Sequence, residues 1–130
     1  PGHTSGHICF HFFKDKLVFT GDTLFSLGCG RIFEGTYEEM FSSLNKIKSL
    51  PEETKIYCGH EYTSNNANFC GKHDPENKNL MKKIEYIKKQ RKSGQPTIPT
   101  TIRDELDCNI FLRAKDLKTF SKLRDLKDNF

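Results

Sequence analysis

The sequence lacks several features that would indicate particular classes of protein. It contains no run of about 18 apolar residues and no charged stretch followed by an apolar one, so neither a membrane span nor a signal peptide is predicted. Its five cysteines are odd in number and include no Cys-x-x-Cys pair. This pattern argues against a disulfide framework and against a cysteine zinc knuckle, and it favours a reducing compartment.

Hydrophobic residues are also scarce, at 35% of the 130 residues, which is low for a self-sufficient globular domain. Phenylalanine supplies 11 residues, so the apolar content is concentrated in large side chains and a modest core can form. The first residue is Pro1 and not Met. Together these features lead us to expect a piece of a longer or processed protein.

The net charge of +4 has one main source. Residues 78–92 carry seven Lys or Arg side chains and one Glu. A solvated helix face is the main interpretation, because Lys is the usual exposed residue of helices. A nucleic-acid-binding surface is an alternative, but no interleaved aromatic residues and no binding motif accompany the charges, so no nucleic-acid partner is expected. General attraction of an anionic ligand is a third interpretation.

Up to residue 61 the sequence alternates between strand and helix patterns. Ile8–Phe13 and Leu17–Thr20 are short, aromatic and β-branched, and the polar turn between them predicts a hairpin. Thr36 and Glu39 have the spacing of a capping box, which predicts the start of a helix with one apolar face. Another short strand is predicted at Lys55–Cys58.

After residue 61 the sequence indicates helices, and no strand is predicted. Asn77–Lys92 carries apolar residues in helical register, Thr101 can cap a short helix, and Leu117 to Leu123 marks a last helix. We therefore expect an α+β fold class in two parts. Residues 1–61 form an α/β portion, and residues 62–130 form an all-helical portion.

Three short strings contain residue types that can perform chemistry: Pro1–His7, Thr20–Thr23 and Tyr57–Glu61. In the last two, an apolar strand is followed by Gly and then by a potential metal ligand, Asp22 or His60, and His3 also follows a Gly. The glycine permits a close backbone approach. Imidazole nitrogens and a carboxylate suit zinc or iron, and one carboxylate can bridge two cations about 3.5–4 Å apart. Taken alone, such a residue at a strand end is more often an ordinary polar side chain than a metal ligand.

These strings resemble the later motifs of the metallo-β-lactamase superfamily, and further segments resemble its glyoxalase II family, the hydroxyacylglutathione hydrolases. The resemblance covers essentially the whole chain. The segments that carry it are Gly21–Phe25, Gly28–Arg31, Phe33–Thr36, Ile56–Thr63, Pro96–Thr101, Asn109–Arg113 and Leu123–Phe130.

The resemblance implies the second half of the superfamily's αβ/βα sandwich, followed by a helical substrate-binding domain. It also implies that His3 ligates one metal, His60 ligates a second, and Asp22 bridges the two. The residues that it places against glutathione are Arg31, Phe33, Tyr62, Arg124 and Lys127. Cationic side chains and a phenol suit a peptide with two carboxylates, although Arg124 and Lys127 also fit an ordinary charged helix face.

The reaction implied is hydrolysis of the thioester S-D-lactoylglutathione to D-lactate and glutathione, the second step of methylglyoxal detoxification. A metal-bound hydroxide, held beside Asp22, would attack the thioester carbonyl. The expected cofactors are two divalent metals, zinc before iron or manganese. A glutathione thioester is the expected partner of a monomeric protein without membrane contact, located in the cytoplasm or, alternatively, in mitochondria.

The sequence departs from the family pattern in three places. Phe33 stands where some members carry Tyr, and Ile110 stands where Pro is common. The family's first metal motif, His-x-His-x-Asp-His, is not among these residues, so most of the expected ligands are missing and we expect this chain alone to be inactive. His7 is interpreted as a supporting residue, and Cys29 and Cys58 as structural thiols.

Two rival functions stay open. One is another superfamily enzyme, such as a persulfide dioxygenase with one iron, which the string Gly28–Thr36 and the long helical tail disfavour. The other is a catalytically incomplete chain whose helical part binds a thiol peptide or a protein partner.

Overall fold

The computed structural model describes all residues from 1 to 130. Its six strands are β1 (Phe10–Phe12), β2 (Leu17–Gly21), β3 (Leu24–Phe25), β4 (Gly28–Cys29), β5 (Lys55–Cys58) and β6 (Thr100–Thr101). Its six helices are α1 (Tyr37–Lys48), α2 (Thr63–His73), α3 (Lys78–Lys92), α4 (Ile102–Cys108), α5 (Ile110–Arg113) and α6 (Leu117–Asp128). This mixed content, with a helical C-terminal part, confirms the predicted α+β class. None of the helices combines the length and apolarity that a bilayer span requires.

Four strands form the main sheet in the order β1-β2-β5-β6. The antiparallel pair β1 and β2 places Phe10 opposite Phe19 and confirms the predicted hairpin. Strands β2 and β5 are parallel, and the chain between them includes α1. Because parallel strands end at the same edge of a sheet, the residues that follow β2 and β5 lie close together.

Helix α1 begins as its sequence predicts. The Thr36 side chain accepts a hydrogen bond from the Glu39 amide, and the Glu39 carboxylate accepts one from the Thr36 amide, so both halves of the capping box form. The apolar face of the helix shares one core with the buried face of the sheet. That part of the core consists of Val18, Met40, Leu44, Ile47 and Ile56.

Three predicted helices of the C-terminal portion are confirmed. The Asn77 side chain caps α3 by accepting from the Leu80 amide at 3.1 Å, and Thr101 caps α4 in the same way through the Asp104 amide. Asp116 caps α6. Each cap satisfies an amide that the first turn of a helix leaves free, which typically contributes about 1 kcal/mol.

Helix α2 was not predicted from the sequence. Its residues include three Asn and one Gly, all of which are weak helix formers. The helix nevertheless forms because it buries one face completely, with Phe69 and Cys70 inaccessible to solvent. Tertiary packing thus outweighs local propensity in this segment.

The prediction that no strand follows residue 61 is wrong. Thr100 and Thr101 form β6 and pair antiparallel with Ile56 and Lys55. Two residues are too few to give a strand pattern in the sequence. The helical portion therefore completes the sheet and shares its core, while the division at residue 61 stays a prediction.

One face of the sheet is uncovered. Phe10, Phe12 and Phe19 point away from the core and are 57%, 47% and 43% exposed. Their rings form a continuous strip, since Phe12 lies 5.9 Å from Phe19, which stacks on Tyr57 at 5.3 Å. We call these four residues the aromatic face. The opposite face carries Val18 and Ile56, both buried, as strand alternation requires.

Candidate metal centre and adjoining cavity

The three residues that the sequence singles out as metal ligands meet at one edge of the sheet. Asp22 directly follows β2, and His60 lies two residues after β5. The Gly59 amide donates to the Gly21 carbonyl at 2.8 Å, which sets the distance between the two strand ends. His3 comes from the N-terminal segment, where its carbonyl accepts from the amide of Phe33.

The Asp22 carboxylate lies between the two imidazoles. Its Oδ2 is 3.3 Å from His3 Nε2, and its Oδ1 is 3.3 Å from His60 Nε2. Each carboxylate oxygen thus faces a different ring nitrogen. This is the arrangement that a carboxylate needs in order to contribute one oxygen to each of two adjacent cations.

The His3 ring is fixed in the tautomer that binds metals. Its Nδ1 lies 2.7 Å from the Arg31 carbonyl oxygen, which can only accept, so Nδ1 carries the proton. Nε2 is then left with a free lone pair directed towards Asp22. A backbone carbonyl that accepts from the distal nitrogen is a common support for a metal-ligating histidine, so the donor set fits a divalent metal of the zinc type.

His7 supports the site without facing it. The Asp22 amide donates to His7 Nε2 at 3.0 Å, which occupies the lone pair that a metal would use. His7 Nδ1 lies 3.1 Å from the Thr23 hydroxyl. Burial lowers the pKa of His7, which favours the neutral ring that this hydrogen bond requires. His7 thereby fixes the backbone of Asp22.

Two glycines make room for these groups, as the sequence suggested. Gly21 has φ +51, in the region that favours glycine, and a Cβ there would overlap the His7 ring. A Cβ on Gly59 would overlap the Asp22 carboxylate. The backbone therefore approaches the carboxylate more closely than any other residue type allows.

The chain offers an incomplete set of ligands for each metal. No group of three or more His, Cys, Asp or Glu side chains is arranged to hold one ion. His3 and His60 each share only Asp22 as a second donor, whereas a hydrolytic zinc normally has about three protein ligands. The centre is also open, since the side chain of His60 is 47% exposed.

A cavity of about 490 Å³ adjoins His3 and Asp22. It is lined by all five residues that the resemblance places against glutathione: Arg31, Phe33, Tyr62, Arg124 and Lys127. The sequence did not single out Phe25, Asn65 and Asn66, which also line it. Phe25 ends the string Gly21–Phe25, and the two asparagines follow Ile56–Thr63, but an apolar residue and two side-chain amides give no separate indication of a binding role.

The cavity concentrates positive charge. Burial lowers the pKa of Lys127, and the neighbouring Arg124 and Arg31 guanidiniums lower it further. Asp128 is the only carboxylate that pairs with these cations, at 2.8 Å from Arg124 and 3.8 Å from Arg31. A net positive cavity suits a ligand with several carboxylates.

Aromatic rings form the wall between the cavity and His60. The Tyr62 ring stacks on His60 with centroids 4.7 Å apart, and Phe25 packs edge-on against Tyr62 at 5.3 Å. Phe33 packs against His3 at 5.0 Å on the other side. Each histidine is therefore supported by an aromatic neighbour that also contacts the cavity.

The cysteines near the centre behave as structural groups. Burial raises the pKa of the Cys29 thiol, so it stays protonated at neutral pH. Burial also raises the pKa of Cys58, whose thiol donates to the His60 carbonyl at 3.3 Å. Neither supplies a thiolate to the carboxylate–histidine centre.

Two family models match parts of this chain. Residues 61–130 match the family described as "Hydroxyacylglutathione hydrolase C-terminus", and residues 1–60 match the metallo-beta-lactamase superfamily. The C-terminal match alone covers more than half of the chain.

Similar proteins agree with this assignment. The chain is 65% identical over 130 residues to the hydroxyacylglutathione hydrolase of Pelagibacter ubique (strain HTCC1062), covering 100% of the chain and 54% of that enzyme. It is 46% identical over 148 residues to that of Psychromonas ingrahamii (strain DSM 17664 / CCUG 51855 / 37), covering 100% of the chain and 57% of that enzyme. The chain thus spans about half the length of these curated relatives.

A solved structure shows the same fold. The crystal structure of ETHE1 from Myxococcus xanthus superposes with a TM-score of 0.63 at 26% sequence identity, covering 96% of this chain and 42% of that one. By its family matches and its relatives, the chain belongs to the hydroxyacylglutathione hydrolase (glyoxalase II) family of the metallo-β-lactamase superfamily.

Proposed function

We propose that the chain forms part of a thiolester hydrolase that converts S-D-lactoylglutathione and related 2-hydroxyacylglutathiones to a hydroxy acid and glutathione. The observation that carries the proposal is the Asp22 carboxylate, whose two oxygens each face a different histidine beside a cationic cavity. Family membership supports the same reaction, since the curated relatives are named hydroxyacylglutathione hydrolases.

His3, Asp22 and His60 are the residues of this chain that would hold divalent metals. Divalent metals, when bound, lower the pKa of water to about 7 and polarise a carbonyl oxygen. The two imidazoles and the carboxylate suit zinc first, with iron and manganese as alternatives. Each histidine shares only Asp22 as a second metal donor, so the remaining ligands have to come from residues other than these three.

The cationic residues of the cavity would bind the peptide part of the substrate. Lys127 and Arg31 present charges that can pair with the glutathione carboxylates, and the Tyr62 hydroxyl adds a neutral hydrogen bond. Phe33 offers its ring but no hydroxyl. These contacts are remote from the thioester carbonyl, so they contribute to substrate affinity and orientation.

The leaving group explains why no strong acid is needed. Hydrolysis breaks the bond between the acyl carbon and sulfur, and a thiol with a pKa of about 8.5 can depart as a thiolate. No Glu lines the cavity, and its one cysteine, Cys29, is buried and protonated. Departure of the thiolate therefore does not depend on a carboxylic acid or a second thiol at the cavity.

The test uses a fused enzyme. Residues 1–130 are joined to the part of the Pelagibacter ubique enzyme that has no counterpart in this chain, and the product is assayed with zinc. We expect hydrolysis of S-D-lactoylglutathione without oxygen uptake. Oxygen consumption with a glutathione persulfide, in place of thioester hydrolysis, would assign the chain to a dioxygenase instead. Binding of glutathione without turnover would indicate a thiol-peptide-binding module.

A further inference from the structure

The segment between the two candidate histidines is held by side chains of the helical portion. This segment, the Phe25–Gly30 loop, runs from the last residue of β3 to the residue after β4 and includes the turn between the two strands. Its turn includes Leu27 with φ +59, a backbone conformation that residues other than glycine rarely adopt. Such a conformation persists only where the surroundings hold it in place.

Every carbonyl oxygen of the loop accepts a hydrogen bond from the C-terminal portion. Asn109 Nδ2 donates to the carbonyls of Phe25 and Gly28, at 3.4 and 3.1 Å. Asn66 Nδ2 donates to Ser26, and the Cys70 thiol donates to Leu27.

The remaining two carbonyls both accept hydrogen bonds from one guanidinium. Arg124 Nη1 donates to the carbonyls of Cys29 and Gly30, at 2.6 and 3.5 Å. The Leu27 amide in turn donates to Glu105 Oε1 at 2.7 Å. We call Asn66, Cys70, Glu105, Asn109 and Arg124 the clamp residues, and all five are buried.

The loop that they hold touches both histidines. At one end, Phe25 lies 6.0 Å from the His60 ring and packs against Tyr62. At the other end, Arg31 directly follows Gly30, and its carbonyl accepts from His3 Nδ1. A movement of the loop would therefore alter the surroundings of His60 and the hydrogen bond that fixes the His3 tautomer.

Arg124 is better placed for this role than for binding a ligand. Its side chain is only 3% exposed, Nη1 is used by the loop, and Nε and Nη2 are used by Asp128. Lys127 lines the same cavity from the same helix, but it makes no hydrogen bond to the loop. The two cations thus have different surroundings, although the sequence gives them the same apparent role.

We propose that Arg124 and Asn109 are positioning residues, which fix the rings of His3 and His60 beside Asp22 by binding the carbonyls of the Phe25–Gly30 loop. The helical portion would then serve the metal centre as well as the substrate. The catalytic importance of this effect rests on the function proposed above. The positions of the histidine rings do not depend on that function, because they can be measured on the metal-free chain.

The first test compares Arg124→Met with Lys127→Met by NMR of residues 1–130 without metal. Both variants remove one positive charge from the same cavity and helix. We expect Arg124→Met to shift the imidazole nitrogen signals of His3 and to raise hydrogen exchange of the Gly30 amide, which donates to the Thr23 carbonyl, at least about tenfold. Lys127→Met should leave these signals unchanged, and Arg124→Lys should restore them in part, since an ammonium can still donate to the Cys29 carbonyl.

The second measurement uses the fused enzyme. We expect Arg124→Met to lower zinc affinity and kcat in addition to raising KM, whereas Lys127→Met raises KM alone. The proposal is overturned if the two variants have equal effects on KM and neither alters the His3 signals or metal affinity. If Arg124→Met does not fold, Asn109→Ser decides by the imidazole signals of His60, because it removes the donor to the Phe25 and Gly28 carbonyls and can still cap the Phe111 amide.

Discussion

The two portions of the chain differ in how completely they are packed. The three largest fully buried side chains all lie after residue 61, and they are Phe69, Phe111 and Phe120. The portion before residue 61 contributes the aromatic face, which is open to solvent, and the three candidate metal ligands. The largest buried rings are therefore concentrated in the helical portion, whereas the sheet portion exposes a strip of rings and an open carboxylate–histidine centre.

The two portions share the cavity but not the candidate metal ligands. His3, Asp22 and His60 all come from the first portion, whereas the cavity is lined from both, by Arg31 and Phe33 of the first and by Tyr62, Arg124 and Lys127 of the second. Substitutions at the candidate ligands should consequently reduce metal content and turnover, and substitutions at the cavity should alter substrate affinity or, at Arg124, the order of the loop. The following predictions test this division, beginning with the largest effect.

Asp22→Asn in the fused enzyme should abolish binding of two metals. An amide has one acceptor oxygen and no charge, so it bridges two cations poorly, and a loss of about 4 kcal/mol of transition-state stabilisation corresponds to about 10³-fold in kcat. Metal analysis of the purified variant provides the measurement, with Asp15→Asn in the exposed hairpin turn as the control. Retention of two metals with near-normal turnover would remove Asp22 from the bridge.

Lys127→Ala should raise KM more than it lowers kcat. The side chain lies at the cavity, away from the carboxylate–histidine centre, so it should bind ground state and transition state alike. Loss of one charge-assisted contact corresponds to about 1.5–3 kcal/mol, or roughly 10- to 150-fold in KM. Steady-state kinetics decide, and a fall in kcat at constant KM would place Lys127 in the chemistry.

Residues 1–130 should self-associate through the aromatic face, and Phe19→Thr should reduce this association. The residue lies at the centre of the aromatic face, and threonine removes the exposed ring while its β-branched side chain still favours a strand. Sedimentation velocity should show a lower oligomer fraction, whereas Tyr86→Gln on the exposed side of α3 should have little effect. Equal effects of the two substitutions would show that the aromatic face does not mediate self-association.

Glu105→Gln should remove a small pH dependence of stability. Burial raises the pKa of Glu105 above its ordinary value of 4.5. Between that value and the folded pKa the native chain keeps a proton that the unfolded chain has released, so the free energy of unfolding falls as pH rises, by at most about 1.4 kcal/mol per pH unit. Urea unfolding from pH 4.5 to 7 should show this slope in the parent and in exposed Glu85→Gln, but not in Glu105→Gln.

The features that the sequence predicted well are those with a local signal. The capping box at Thr36, the cap at Thr101 and the hairpin of β1 and β2 depend on neighbouring residues, and they form as expected. The Gly-Asp and Gly-His strings placed Asp22 and His60 at strand ends because the pattern itself requires a close approach there.

The features that the sequence did not predict depend on distant partners. Helix α2 forms through burial of Phe69 and Cys70 despite its asparagines, and β6 exists only because Thr100 and Thr101 meet β5. The clamp contacts join residues about 40 to 95 positions apart, such as Cys29 and Arg124. No local pattern marks a buried Asn109 or Glu105 as a partner of the loop.

The central claim is that this chain contributes only part of a metal centre. Its most direct test is to load residues 1–130 with zinc, assay S-D-lactoylglutathione, and repeat the assay with the fused enzyme at equal concentration. We predict no significant hydrolysis and weak metal binding by residues 1–130 alone, and both two bound metals and turnover in the fused enzyme. Turnover by residues 1–130 alone at a level near that of the fused enzyme would contradict the ligand assignment of His3, Asp22 and His60.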